Sequence, residues 1–190
     1  MKIHKPIGVG INLGFGVPTA GTSGQILQKV NGTNYNTQWT DTRTPIYIQA
    51  GNSSGQSMPA GSTTITNWTT NVNTVPGGWN AATGIFTCPR AGWYRVSVAI
   101  IYSANTSGIN TEFNVGIAIN GSVNATGVVF RETANNTYTA VPSVETVRYL
   151  NVGDTVSFIS YNNGNTGMTL WARADINVMT IQELPNQIIK

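Results

Sequence analysis

Charge is scarce in this chain: Asp, Glu, Lys and Arg make up 9% of its 190 residues, against about 25% in an ordinary soluble domain. Binding along a phosphate backbone needs a dense basic stripe, which so few cations cannot supply, so nucleic acid is excluded as a partner. Lys2, Lys5, Lys29 and Arg43 stand against Asp41 alone in the first 45 residues, and the charges from Ile46 onward cancel. Histidine is almost missing. The single His4 leaves the rest of the chain without a Ser-His-Asp or Cys-His arrangement and without a His/Cys metal set. A lone cysteine, Cys88, excludes an intrachain disulfide framework. It follows an apolar run, precedes Pro89 and has only Arg90 nearby to lower its pKa, so it reads as a packing thiol rather than a nucleophile. No apolar run approaches the ~18 residues of a membrane-spanning helix, so no membrane insertion is expected. Pro6, Gly8, Gly10, Asn12 and Gly14 break up the opening residues, which therefore do not read as a signal peptide. Gly8-Val9-Gly10 precedes no βαβ pattern, so no dinucleotide or phosphate loop is read there.

Two carboxylates suffice for a glycosidase, and several of the acids here have another reading. Asp154 is accounted for by a Gly-Asp turn, Glu132 follows Arg131 at a strand end, and Glu145 lies between Val144 and Thr146 on a solvent-facing register. With Glu112 and Asp175 they form no recognisable pair. The expectation is no catalytic residue, no metal and no cofactor.

What replaces charge is Asn, Thr, Ser and 21 glycines, a composition suited to strands whose outward positions are uncharged. From residue 44 onward, short alternating apolar runs are separated by Gly, Asn and Ser turns, as in a β-sandwich. The predicted strands are 46–50, 63–67, 85–88, 93–103, 112–120, 122–131, 144–150, 154–162 and 168–182, with Asn120-Gly121 as a tight hairpin turn. No helical periodicity competes.

One stretch is more specific. Thr83-Gly84 makes a turn into a short strand from Ile85 to Cys88, a Pro-Arg-Ala-Gly corner follows, and a long strand starts at Trp93. Phe86, Thr87, Cys88, Pro89, Gly92 and Tyr94 resemble the F-T-C-P-x-A/P-G-x-Y pattern in the head domains of C1q and its tumour-necrosis-factor-like relatives. Leu150, Gly153, Asp154 and Val156 resemble the L-x-x-G-D-x-V turn of the same family, which extends the likeness across 46–184. The resemblance implies an antiparallel jelly-roll sandwich and a trimeric binding head rather than an enzyme. The family's aromatic-rich ending is only loosely matched by Trp171, and the calcium-binding acids of some relatives have no counterparts, so no metal site carries over.

Residues 1–45 read as an extension in two parts. In 1–17, Ile3, Ile7, Val9, Ile11, Leu13 and Phe15 have no local core to enter, which points to docking onto another protein. In 18–45, GTSGQILQKVNGTNYNTQW, with a hairpin signal at Asn31-Gly32, is similar to a short element of bacteriophage tail-fibre and other virion proteins. That likeness implies a stalk or collar piece. Residues 46–190 form the head.

Several predicted strands are apolar on both faces, which implies a second buried surface; in the resembling family that surface is the three-fold axis. Trp93, Arg95, Ile101, Trp171, Arg173, Asp175 and Met179 are the candidate contacts of a homotrimer. Loops 103–111, 131–141 and 161–167 are candidate contacts for a host-surface glycan or protein, through Asn105, Asn110, Asn135, Tyr138, Tyr161, Asn163 and Asn165.

The expected function is that of a non-enzymatic virion protein, a trimeric fibre anchored through its N-terminal arm to a tail or capsid protein. A capsid decoration protein or short head fibre of the same fold is the alternative, favoured by the short reach of ~45 residues before the head. A polysaccharide-degrading tailspike lacks a carboxylate pair, and a secreted C1q-like adhesin lacks a signal sequence. The expected location is therefore the virion.

Overall fold

The computed structural model describes residues 25–30, 37–41, 44–102, 112–127, 130–131, 141–163 and 168–185. The chain divides into two compact units, Met1–Thr44 and Pro45–Lys190. Every regular element among the described residues is a strand.

In the first unit, β1 (Gln25–Lys29) and β2 (Thr37–Asp41) pair antiparallel with Leu27 opposite Trp39. The docking residues predicted in 1–17 and the Asn31-Gly32 turn lie outside the described residues.

The second unit holds β3 (Tyr47–Gly51), β4 (Ser57–Met58), β5 (Gly61–Thr64), β6 (Thr69–Asn73), β7 (Trp79–Asn80), β8 (Ile85–Thr87), β9 (Gly92–Ala99), β10 (Glu112–Ile119), β11 (Ser122–Thr126), β12 (Phe130–Arg131), β13 (Ser143–Leu150), β14 (Thr155–Asn162), β15 (Met168–Thr169) and β16 (Val178–Glu183). One sheet runs β13-β9-β16-β3-β6. The other runs β11-β10-β14-β8-β7, with β12 on β10 and β5 on β14, and β15 pairs with β4 apart from both. All these pairings are antiparallel, and the first long strand, β3, lies beside the last, β16. This is the jelly-roll sandwich expected.

Between the sheets, Ile48, Tyr94, Val96, Val98, Met179 and Ile181 meet Phe86, Val115, Ile117, Val156 and Phe158 in one buried core. Phe86 against Tyr94 (centroids 6.0 Å) and Tyr102 against Phe113 (5.6 Å) tie the two layers together, each pair adding ~0.5–1.5 kcal/mol beyond its buried area. The Pro-Arg-Ala-Gly corner is tied down by polar contacts. Tyr94 Oη donates to the Arg90 carbonyl (2.7 Å), as does the buried Cys88 thiol (3.0 Å). Arg90 pairs with Glu183, whose carboxylate also accepts from Ile46 N (3.0 Å). One clasp thus joins the corner to both ends of the domain.

The Thr83-Gly84 turn is as demanding as its sequence suggests. Gly84 has φ +68, and a Cβ there would lie 2.1 Å from the Ile65 carbonyl oxygen, which accepts the Trp68 indole N–H. Because backbone must shift to admit a side chain, Gly84→Ala is expected to destabilise the domain by about 3 kcal/mol or more. A urea titration would show this as a lower midpoint at unchanged slope. At Asn120-Gly121 both residues have positive φ (50 and 77), and the hairpin β10–β11 closes in two residues. Asn120 also donates to Asp154 Oδ1 (2.9 Å), while Asp154 Oδ2 accepts from Asn151 N (2.7 Å). Those bonds hold the Asp154 carboxyl below its ordinary pKa, and they bear out its reading as a turn residue.

Three predicted runs break or stop short in the structure, and three strands were not predicted. β4, β6 and β7 were not foreseen, because Ser57-Met58, Thr69–Asn73 and Trp79-Asn80 are too short or too polar to alternate visibly. The run 122–131 splits into β11 and β12. The run 93–103 stops at Ala99, and Ile100, Ile101 and Tyr102 are all buried. The run 168–182 is two strands separated by a turn at residues 174–176.

Candidate functional site: a sheet face and a loop end

The outward face of the five-stranded sheet follows from its register. Tyr94, Val96 and Val98 point into the core, so Trp93, Arg95, Ser97 and Ala99 point out. Opposite them on the edge strand stand Tyr149, Val147, Glu145 and Ser143. On the other side Gln182, Thr180 and Val178 continue the face towards Tyr47 and Gln49. Its two ends differ. Trp93 and Tyr149 stack edge-to-face at 5.7 Å with about half of each exposed (48% and 52%), and Val147 is exposed beside them. Four to six residues further along β9, about 13–20 Å at the strand rise, small side chains leave a hollow. Ser97, Ala99, Ser143, Glu145, Val178 and Thr180 line this depression of ≈ 280 Å³. Between the two ends lies one exposed ion pair, Arg95 Nε to Glu145 Oε1 at 3.5 Å, of the kind worth ~0–1 kcal/mol.

Two of the predicted subunit contacts are corrected here. Ile101 is 4% exposed because β9 has already ended, and its backbone N–H donates to Asn177 Oδ1 at 2.6 Å. Met179 is 1% exposed because it pairs in register with Val98 and shares its inward face. Both are packed inside their own chain. Trp171, Arg173 and Asp175 are exposed, but on the loop between β15 and β16 and not on a strand. Of the predicted set, Trp93 and Arg95 are on the outward face. Tyr149, Val147 and the hollow were missed. Tyr149 had a visible signal, alternating with Arg148 and Leu150, whereas the hollow depends on cross-strand register.

The second surface is the end of the sandwich where β3, β9 and β14 finish and β10, β13 and β16 begin. Ala99 there lies beside both Ser143 and Val178, and Val178 beside Gly51. Asn105, Asn110, Asn135, Tyr138 and Asn165 fall outside the described residues. Tyr161 is on β14 and 37% exposed, and Asn163 Oδ1 accepts from Glu112 N (2.6 Å), closing the base of the loops.

The Trp171 loop at this end is tightly held. Asn177, fully buried, takes the Ile101 N–H on Oδ1 and donates through Nδ2 to the Asn52 carbonyl (3.0 Å) and the Trp171 carbonyl. Asn52, also fully buried, returns its backbone N–H to the Asn177 carbonyl (2.8 Å) and its side-chain N–H to Thr66 O (2.7 Å). Within the loop Arg173 N donates to Trp171 O (2.7 Å) and Asn177 N to Arg173 O (2.9 Å). Outside it, Arg173 forks Asp175 through Nε (2.8 Å) and Nη2 (2.7 Å) and lies over the Trp171 ring, 5.6 Å from its centroid. The fork lowers the Asp175 carboxyl to about 2, so the pair is ionic throughout the neutral and mildly acidic range.

Among the described residues no group of three or more His, Cys, Asp or Glu side chains could hold a metal ion. Tyr102 Oη lies 2.5 Å from Ser160 Oγ and donates to the Asn114 carbonyl (3.1 Å). Burial raises its pKa to about 12, so it is a neutral core strut.

No protein-family model matches the chain, and no curated protein matches it. Solved structures do. A murine APRIL structure matches at TM-score 0.54 and 12% identity, covering 74% of this chain and all of that one. Eiger TNF from S. frugiperda matches at TM-score 0.54 and 12% identity, covering 76% and 96% of the two chains. The globular domain of zebrafish complement 1qA matches at TM-score 0.52 and 12% identity, covering 75% and 100%. At these identities the likeness is one of fold, and the fold of this chain is the C1q/TNF-like jelly roll.

Proposed function

We propose that this chain is a non-enzymatic structural protein of a bacteriophage particle, a homotrimer whose jelly-roll head binds the host surface and whose N-terminal residues anchor it to the virion. The observation that carries the assembly is the outward sheet face. An exposed Trp–Tyr pair at one end and a hollow at the other make a knob and a socket on the same surface. This face offers another copy both apolar area and relief to pack against, and contacts through it close into a ring where the rotation between copies permits. The resemblance to C1q and TNF-like heads supports a ring of three.

The virion setting rests on GTSGQILQKVNGTNYNTQW and on the hairpin it contains. Ile26, Leu27 and Val30 are exposed on β1 and just after it (53%, 37% and 48%), and a lone two-stranded hairpin is at best marginally stable in water. Three such hairpins sharing their apolar side chains would form a short stalk. The Asn- and Thr-rich loop end is then the host-facing surface.

Immunogold labelling of purified particles tests the setting. Label at the tail is the expected result, label on the capsid would assign the decoration role, and particles free of the protein would refute the proposal.

A further inference from the structure

Trp171 is an exposed tryptophan on a loop whose base is fastened by buried hydrogen bonds. Trp171 keeps 44% of its surface exposed and takes no part in the buried cluster, yet Asn177, Asn52 and the Ile101 backbone tie down the base of its loop with hydrogen bonds. The order is supplied from below, and it presents three side chains outward: the indole, the guanidinium over it and the carboxylate forked to that guanidinium. Because the charges of Arg173 and Asp175 cancel, the cluster is neutral as a whole. It is also polar at the rim and aromatic at the centre.

We infer that Trp171, Arg173 and Asp175 form a binding subsite for a neutral pyranose residue of a surface polysaccharide. A pyranose ring has an apolar C–H face and a rim of hydroxyls. The apolar face would lie on the exposed part of the indole, where aromatic surface gives contact area at little cost in side-chain freedom. Arg173 uses Nε and one N–H of Nη2 on Asp175, which leaves its other N–H groups as donors. The Asp175 oxygens keep acceptor capacity beyond the fork. Donor and acceptor side by side match two adjacent hydroxyls, each of which donates and accepts. A sugar acid would bring charge to a pair already neutralised, so the neutral ring is the better fit. A second copy of this chain is the competing occupant; Trp171 stands on the loop between β15 and β16, not on the strands whose outward side chains form the Trp93–Tyr149 knob and the hollow.

This subsite rests on the reading of the loop end as host-facing, and the test separates the two. The full chain would be applied to an array of neutral and acidic saccharides and, separately, to host cells; Trp171→Ala and Trp171→Phe variants would follow, with native mass as a check on assembly. Binding to a neutral saccharide, weakened about tenfold or more by Trp171→Ala and largely restored by Trp171→Phe at unchanged native mass, is the expected outcome. No array saccharide bound, equal binding by Trp171→Ala, or a drop in native mass on that substitution would overturn the subsite. If wild-type protein adsorbs to cells and Trp171→Ala adsorbs equally, the subsite fails while the head reading stands. If wild-type protein does not adsorb at all, the head reading itself fails.

Discussion

Replacing Trp93 and Tyr149 together with Glu is expected to disperse the assembly while leaving each head folded. Both side chains lie on the outward sheet face, about half exposed and in mutual contact, so the fold loses only one edge-to-face pair of ~0.5–1.5 kcal/mol. The proposed interface loses its aromatic knob and gains two carboxylates to be desolvated on every contact. Truncating a central aromatic anchor alone commonly costs 2 kcal/mol or more, on the order of thirtyfold in affinity. Adding buried, unpaired charge pushes the loss further, and a ring suffers it at each of its contacts. Sedimentation velocity at micromolar concentration would show a shift to the single-chain species, with a circular dichroism spectrum and melting profile close to those of the wild type. A Val123→Glu substitution on β11, an edge strand of the other sheet and 53% exposed, should leave the assembly intact and serves as the control.

The second large effect is expected at Asn177. Asn177→Ala removes the partner of the Ile101 N–H and of the Asn52 and Trp171 carbonyls. Ile101 is 4% exposed and Asn52 fully buried, so water cannot easily replace the lost side chain. The Ile101 N–H and the Asn52 carbonyl lose their buried partner at about 1–3 kcal/mol each, while the Trp171 carbonyl keeps the Arg173 N–H, so the total should be roughly 2–5 kcal/mol, a large share of the stability of a domain this size. Thermal unfolding would report the loss as a fall in midpoint. Hydrogen exchange would localise it, since the Ile101 amide should lose protection before amides of β14 do. If the midpoint fell without preferential exposure of Ile101, the clasp would not be the cause.

The strand core was legible because burial on one face leaves a two-residue period. Tyr94, Val96 and Val98 alternate with Trp93, Arg95 and Ser97, and the structure buries the first set and exposes the second or covers it only in part. The Phe86–Tyr94 corner was legible for a different reason: turn chemistry, a fixed proline and an aromatic that reaches back to Arg90 leave few alternatives. The errors at Ile101 and Met179 share one cause. Parity counted along a run is meaningful only while the chain stays a strand, and both runs are broken, after Ala99 and at residues 174–176. A break changes which face each later residue takes. Asn177 showed no sign of its role, since its value lies in three backbone segments that meet only in the fold. The hollow is equally invisible from one strand, being made where Ser97 and Ala99 on β9 come between Ser143 on β13 and Thr180 on β16.

Self-association through the outward face is the claim on which the rest depends, and native mass spectrometry of the full chain at micromolar concentration tests it most directly. A dominant species at three times the chain mass of 20.2 kDa is the predicted result. A single species at 20.2 kDa, with nothing heavier, would contradict it.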